Sequence, residues 1–84
     1  MQVQITEMSR SKYNSFYFSA TCGKKSALVV IDENGGVDVV VQNASHKAWG
    51  GMGKRFQNKQ AAVGNYKSSE IKEIIQTAFE QSLT

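Results

Sequence analysis

The residue types able to do chemistry gather in one stretch, His46-Lys47-Ala48-Trp49-Gly50-Gly51-Met52-Gly53-Lys54-Arg55-Phe56. It holds three glycines, two aromatics, a methionine, a histidine and three cations within eleven positions. Bare glycine amides beside Lys54 and Arg55 can approach a phosphate closely. Trp49 and Phe56 are of the type that stacks on unpaired bases. Lys47, Trp49, Lys54, Arg55, Lys59 and Lys67 are therefore the expected nucleic-acid-binding residues. The competing reading is structural: a glycine-rich crossover loop whose Trp49 and Phe56 plug the open side of a sheet.

Other chemistries find less support. A phosphate-binding P-loop requires Ser or Thr after Gly-Lys, and a strand–loop–helix context. Here Gly53-Lys54 is followed by Arg55, and the hydroxyl that would hold magnesium is missing. Gly50-Gly51-Met52-Gly53 has the G-x-x-G spacing of the KH clamp, but strands rather than helices precede it. His46 is the sole histidine, with no second histidine, cysteine pair or carboxylate beside it in sequence, which argues against a metal. Cys22, the sole cysteine, needs a neighbouring base to act as a nucleophile and reads as a packing residue near a turn. Asp32 and Glu33 fall in a turn, and Glu70, Glu73 and Glu80 on a helix surface, so no carboxylate pair suggests acid and base. The expectation is a non-enzymatic protein without cofactor or metal.

The charge is segregated along the chain. Asp38 and Glu70 bound an interval without acidic residues that contains Lys47, Lys54, Arg55, Lys59 and Lys67, five positive charges against a net +3 for the whole chain. Such segregation bears on partners rather than on fold. Eighty-four residues suffice for one domain, 1–84, with one thin core. A single cysteine precludes an internal disulfide and favours a reducing compartment, the cytoplasm. The polar, alternating N-terminus does not resemble a secretory signal, and no apolar run approaches a membrane span.

These residues must be positioned by the elements around them. Val3 and Ile5; Phe16, Phe18 and Ala20; Ala27, Val29 and Ile31; and Val37, Val39 and Val41 each recur with a period of two. The pattern predicts strands near 2–8, 14–21, 25–31 and 36–42. The polar loop 9–12, the turn Thr21-Cys22-Gly23-Lys24 and the Asn34-Gly35 signal join them, so neighbours are antiparallel. Ile71, Ile74, Ile75, Ala78 and Phe79 have helical spacing, with Ser68 or Ser69 as N-cap, predicting a helix over about 69–82. A short helix over Gln57 to Val63 would end at Gly64 and Asn65 in the left-handed conformation. The fold expected is α+β in two layers: a four-stranded antiparallel β-meander packed against a C-terminal amphipathic helix. Its core would comprise Val3, Ile5, Phe16, Phe18, Val29, Ile31, Val37, Val39, Val41, Ile71, Ile74, Ile75 and Phe79.

The other sheet face would carry Tyr13, Ser15, Tyr17, Ser19, Leu28, Val30, Asp38 and Val40. Tyr17, Leu28, Val30 and Val40 would form an apolar patch there, either covered by the 43–67 connection or used as a protein interface or homodimer surface. The run Val41 to Phe56, followed by Tyr66-Lys67-Ser68 and an amphipathic helix, resembles small uncharacterised proteins encoded by bacteriophages and mobile elements. That resemblance implies a small cytoplasmic accessory protein acting by binding, to nucleic acid or to a host protein complex, inhibitors of CRISPR complexes being one such class. The leading expectation is a binding module that engages nucleic acid or a nucleoprotein through the basic loop. The alternative is a phage or mobile-element protein that binds and modulates a host complex.

Overall fold

Alternating β-branched and aromatic residues build the first half of the chain. In the computed structural model, which describes residues 2–84, β1 spans Val3–Arg10, β2 Phe16–Cys22, β3 Lys25–Ile31 and β4 Val37–Asn43. A fifth strand, β5, spans Lys54–Phe56 and pairs antiparallel with Val37–Val39. The sheet order is β1-β2-β3-β4-β5, so the meander has five strands rather than the four expected. Three residues are too few to display a period, which is why β5 does not stand out from the glycine-rich stretch before it. The β1 and β2 limits also lie one or two residues later than predicted.

The connections follow from local chemistry. Gly35 takes φ +87° in the β3–β4 turn, where the Asp32 carboxylate accepts from the N–H groups of Asn34 at 2.8 Å and Gly36 at 2.9 Å. Gly23 takes φ +62° between β2 and β3. Such conformations cost a side-chain-bearing residue more than glycine. A register shift at Thr6 interrupts the β1–β2 ladder, and the Thr6 and Ser19 hydroxyls are hydrogen-bonded at 2.8 Å.

Two helices cover one face. α2, Ser69–Ser82, begins at the predicted cap: the Ser68 hydroxyl accepts from the Ile71 N–H at 3.3 Å and donates to Glu70 at 3.1 Å. Ile71, Ile74, Ile75 and Ala78 form its buried stripe. Against them lie Phe16, Phe18, Ala20, Cys22, Ala27, Val29, Ile31, Val37 and Val39, all buried. At the far end of α2, Arg10 donates to the Ser82 carbonyl at 2.8 Å, and its guanidinium stands 5.1 Å from the Phe16 ring centre. The short helix α1, Lys59–Asn65, starts two residues later than predicted, capped by Asn58, whose side chain accepts from the Ala61 N–H at 2.8 Å. It includes Gly64 and Asn65 and gives way to extended backbone at Tyr66, so those two residues do not form the left-handed terminus expected.

The core departs from expectation at four positions. Val3, Val41 and Phe79 pack against its rim and are only partly buried. Ile5 is 42% exposed because β1 is the edge strand and little of α2 reaches it. Among the described residues, no helix is long and apolar enough to cross a membrane.

Candidate nucleic-acid interface

Antiparallel cross-strand partners share a sheet face. The registers therefore lay out three rows on the side away from the helices. Gln4, Thr21, Ser26 and Gln42 form the first. Ser19, Leu28 and Val40 form the second, and Tyr17, Val30, Asp38 and Arg55 the third. The apolar patch expected from the sequence, Tyr17, Leu28, Val30 and Val40, thus does share one face. Only Tyr17 is exposed, while Leu28, Val30 and Val40 are half-buried.

The segment 44–53 turns back over part of this face. Its first residues are tied down by two backbone bonds, Ala44 N–H to the Lys24 carbonyl at 2.9 Å and His46 N–H to the Asn43 carbonyl at 3.0 Å. Further on, the backbone passes Val40: a Cβ added at Gly51 or Gly53 would stand 3.5 Å from its methyl groups. Between segment and sheet lies a cleft of about 210 Å³ lined by Thr6, Thr21, Ser26, Gln42, Ala44, His46, Lys47 and Trp49. A second, of about 420 Å³, shares Gln42 and His46 with it and adds Lys25, Val41, Asn43, Ala48, Gly50 and Gly51; Lys25, Val41 and Asn43 alternate onto the helix-side face, so this cleft wraps the end of β3 and β4 rather than lying over the outer face. A third, of about 490 Å³, continues past Asn43 to Ala44, Ser45, Gly23 and Lys24. Among the described residues no carboxylate lines any of the three, the nearest being that of Glu70, whose oxygen would stand 3.2 Å from a Cβ at Gly23 at the end of the third.

The indole of Trp49 is 37% exposed in this arrangement. It is neither sealed in the core nor free in solvent. At Gly50 nothing lies within 4 Å of where a Cβ would stand, and the contacts at Gly51 and Gly53 are of ordinary van der Waals length. None of the three has a positive φ. Space and conformation would thus admit alanine, and what glycine adds at 50 and 51 is bare backbone at the mouth of the Lys25–His46 cleft.

The basic segment 46–67 is not one surface. Lys47 and Trp49 lie in the clefts, but the other expected binding residues lie elsewhere. Arg55 pairs with Asp32 and, at 3.1 Å, with Asp38. These two carboxylates neutralise it on the outer face. The Arg55 guanidinium holds the Asp32 carboxyl below the ordinary carboxylate range, and Asp32 in turn raises Arg55. Alternation along β5 puts Lys54 on the opposite face, its ammonium 3.4 Å from the Asn65 amide oxygen of α1. Lys59 opens α1, and Lys67 lies in the link to α2. Phe56 is buried with its ring centre 5.8 Å from that of Tyr66, so it is a helix-side core residue and not a stacking platform or a plug for the outer face.

Lys24 and Lys25 take the place of those dispersed cations. Both precede the acid-free interval and did not enter the predicted site. The signal for them was the β3–β4 register: counting outward from the 32–36 turn opposes Lys25 to Asn43, and so sets it beside the start of the 44–53 segment. Cys22 is buried, with its thiol 3.5 Å from a Glu73 oxygen. Burial, and secondarily that carboxylate, push the thiol pKa up, away from the nucleophilic thiolate. Among the described residues, no three of His, Cys, Asp and Glu converge as metal donors. Comparison with protein-family models, curated proteins and solved structures finds no match for the chain.

Proposed function

We propose that this protein is a non-enzymatic module that binds single-stranded nucleic acid in the clefts that the 44–53 segment forms with the outer sheet face and with the adjoining end of β3 and β4. The observation that carries the reading is the composition of those clefts. A half-exposed indole, three lysines (Lys24, Lys25 and Lys47), His46 and bare glycine backbone border these clefts, and the nearest carboxylate, that of Glu70, stands only at the far end beside Gly23. Lysines beside backbone amides suit phosphates, and an accessible indole suits a base face. Unpaired strands are favoured over duplex because only a splayed base exposes the face that Trp49 would stack on. The site proposed differs from the one expected from sequence: it keeps Lys47 and Trp49, adds Lys24, Lys25 and His46, and does not include Lys54, Arg55, Lys59 and Lys67.

Trp49 is the only tryptophan, so its emission reports on the cleft directly. Titration of short DNA and RNA single strands and of the matching duplexes at low salt should quench it for single strands. Combined Lys25→Ala and Lys47→Ala substitutions should weaken binding, whereas combined Lys59→Ala and Lys67→Ala substitutions should leave it nearly unchanged. Absence of binding to every strand at low salt would refute the reading.

A second reading rests on Tyr17, which stands 40% exposed in the third row, beyond the clefts. With Val30 beside it, Tyr17 offers an amphipathic contact for a protein, in keeping with the resemblance to phage products that modulate host complexes. Under this reading a partner is retained from nuclease-treated host lysate by the protein and lost with Tyr17→Ala.

A further inference from the structure

The row Thr21–Ser26–Gln42 runs across β2, β3 and β4 as direct cross-strand neighbours, and all three side chains line the cleft that Trp49 shares. Ser26 is 96% buried by its 4% residual exposure. Its hydroxyl has no hydrogen-bond partner among the described residues, and none of its buried polar atoms is sealed off unsatisfied, so what remains open faces the cleft. Thr21 and Gln42 likewise make no side-chain hydrogen bond to a described residue. The contrast lies two residues along β2, where Ser19, equally buried, is satisfied by Thr6 at 2.8 Å. Buried hydroxyls are ordinarily paired, so an open one in a cleft that an indole also lines points to a ligand with a complementary polar edge.

We infer that this cleft is a base-reading subsite. One unpaired nucleobase stacks on Trp49 and presents its hydrogen-bonding edge to Gln42 and Ser26. The inference rests on the nucleic-acid reading and adds selectivity to it. The cleft, about 210 Å³, is of a size for a single ring system, since a cavity of about 150 Å³ accepts benzene. A carboxamide offers a donor and an acceptor side by side, the arrangement that matches adenine bidentately at its N6 amino group and N7. The Ser26 hydroxyl, able both to donate and to accept, serves a second polar atom of the same edge. Lys47, which lines this cleft, and Lys25 in the adjoining one are placed for the flanking phosphates. Other unpaired bases also carry a donor beside an acceptor, but adenine joins the bidentate N6/N7 match to a purine's larger stacking face on Trp49, and adenine is the base assigned to this position.

The test is competition among short oligo-dA, oligo-dC and oligo-dT strands, with oligo-rA and oligo-rU as the RNA arms, followed by Trp49 quenching. Adenine strands should bind about tenfold more tightly than pyrimidine strands, within the discrimination a bidentate amide contact provides. Gln42→Ala should abolish that preference while retaining residual, salt-sensitive binding, and Ser26→Ala should reduce it. Thermal melting of both variants confirms that the fold is intact. Equal affinity for all strands overturns the subsite while leaving the nucleic-acid reading standing. A preference that survives in Gln42→Ala overturns the residue assignment, and failure of every strand to bind overturns the binding reading itself.

Discussion

Salt dependence separates the cleft from the basic segment as the binding surface. Each phosphate neutralised on a single strand contributes a slope of about −0.7 to log K against log salt concentration. The clefts present three lysines, Lys24, Lys25 and Lys47, so a strand seated there gives a slope of about −2.1 from these three. A strand running along Lys47, Lys54, Arg55, Lys59 and Lys67 would give about −3.5. Raising salt fourfold, from about 50 to about 200 mM, then weakens binding about 20-fold in the first case and about 130-fold in the second. The assay is Trp49 quenching at several salt concentrations in the wild type and in Lys47→Ala, Lys25→Ala and Lys59→Ala. Each of the first two should flatten the slope by about 0.7, and the third should not alter it. A wild-type slope near −3.5 that Lys59→Ala flattens would refute the assignment, because it would require cations of β5, α1 and the α1–α2 link, which line none of the clefts, to act on the strand.

Other outcomes test how the scaffold holds the site. Gly36→Ala should lower the melting temperature and loosen β5, because a Cβ at Gly36 would collide with the Arg55 guanidinium and come within 2.7 Å of an Asp32 oxygen, breaking the clip between the β3–β4 turn and β5; unchanged amide exchange at Phe56 would contradict this. The Asp32 carboxyl is held below its ordinary value of 3.8, so its contribution is complete above about pH 4 and is lost as pH falls through the lower folded value; acid titration should show Asp32→Asn less stable than wild type at neutral pH and the two converging in strong acid. Ser68→Ala removes the α2 cap at a cost of about 1 kcal/mol, which for a domain of this size lowers the melting temperature by about 4–8 °C. Ile74→Ala, at a fully buried position between α2 and the sheet, should cost about 2–5 kcal/mol and leave a substantial unfolded population in denaturant-free buffer.

Local patterns were legible where each residue's environment repeats at short range. The period of two located four strands, helical spacing located α2 to within a residue, and Asn34-Gly35 located its turn. Ile5 shows the limit of that signal. Its alternation is correct, yet burial depends on how far α2 extends over an edge strand, which no local pattern encodes. β5 shows another limit, since Lys54-Arg55-Phe56 becomes a strand only because Val37–Val39 offers an edge to pair with.

The candidate site divides in the same way. Residue order alone shows which positions are flexible, aromatic and cationic, and that Lys47 and Trp49 travel together on one loop. Which cations are paired and which border the clefts follows from the folded arrangement. Strand alternation sends Lys54 and Arg55 to opposite faces, and Asp32 and Asp38 then neutralise Arg55. Strand pairing, in turn, sets Lys25 opposite Asn43 and beside the Trp49 loop. Charge counted along a chain is one-dimensional, whereas a ligand meets the potential of a surface, and pairing between strands distant in sequence is what assembles that surface.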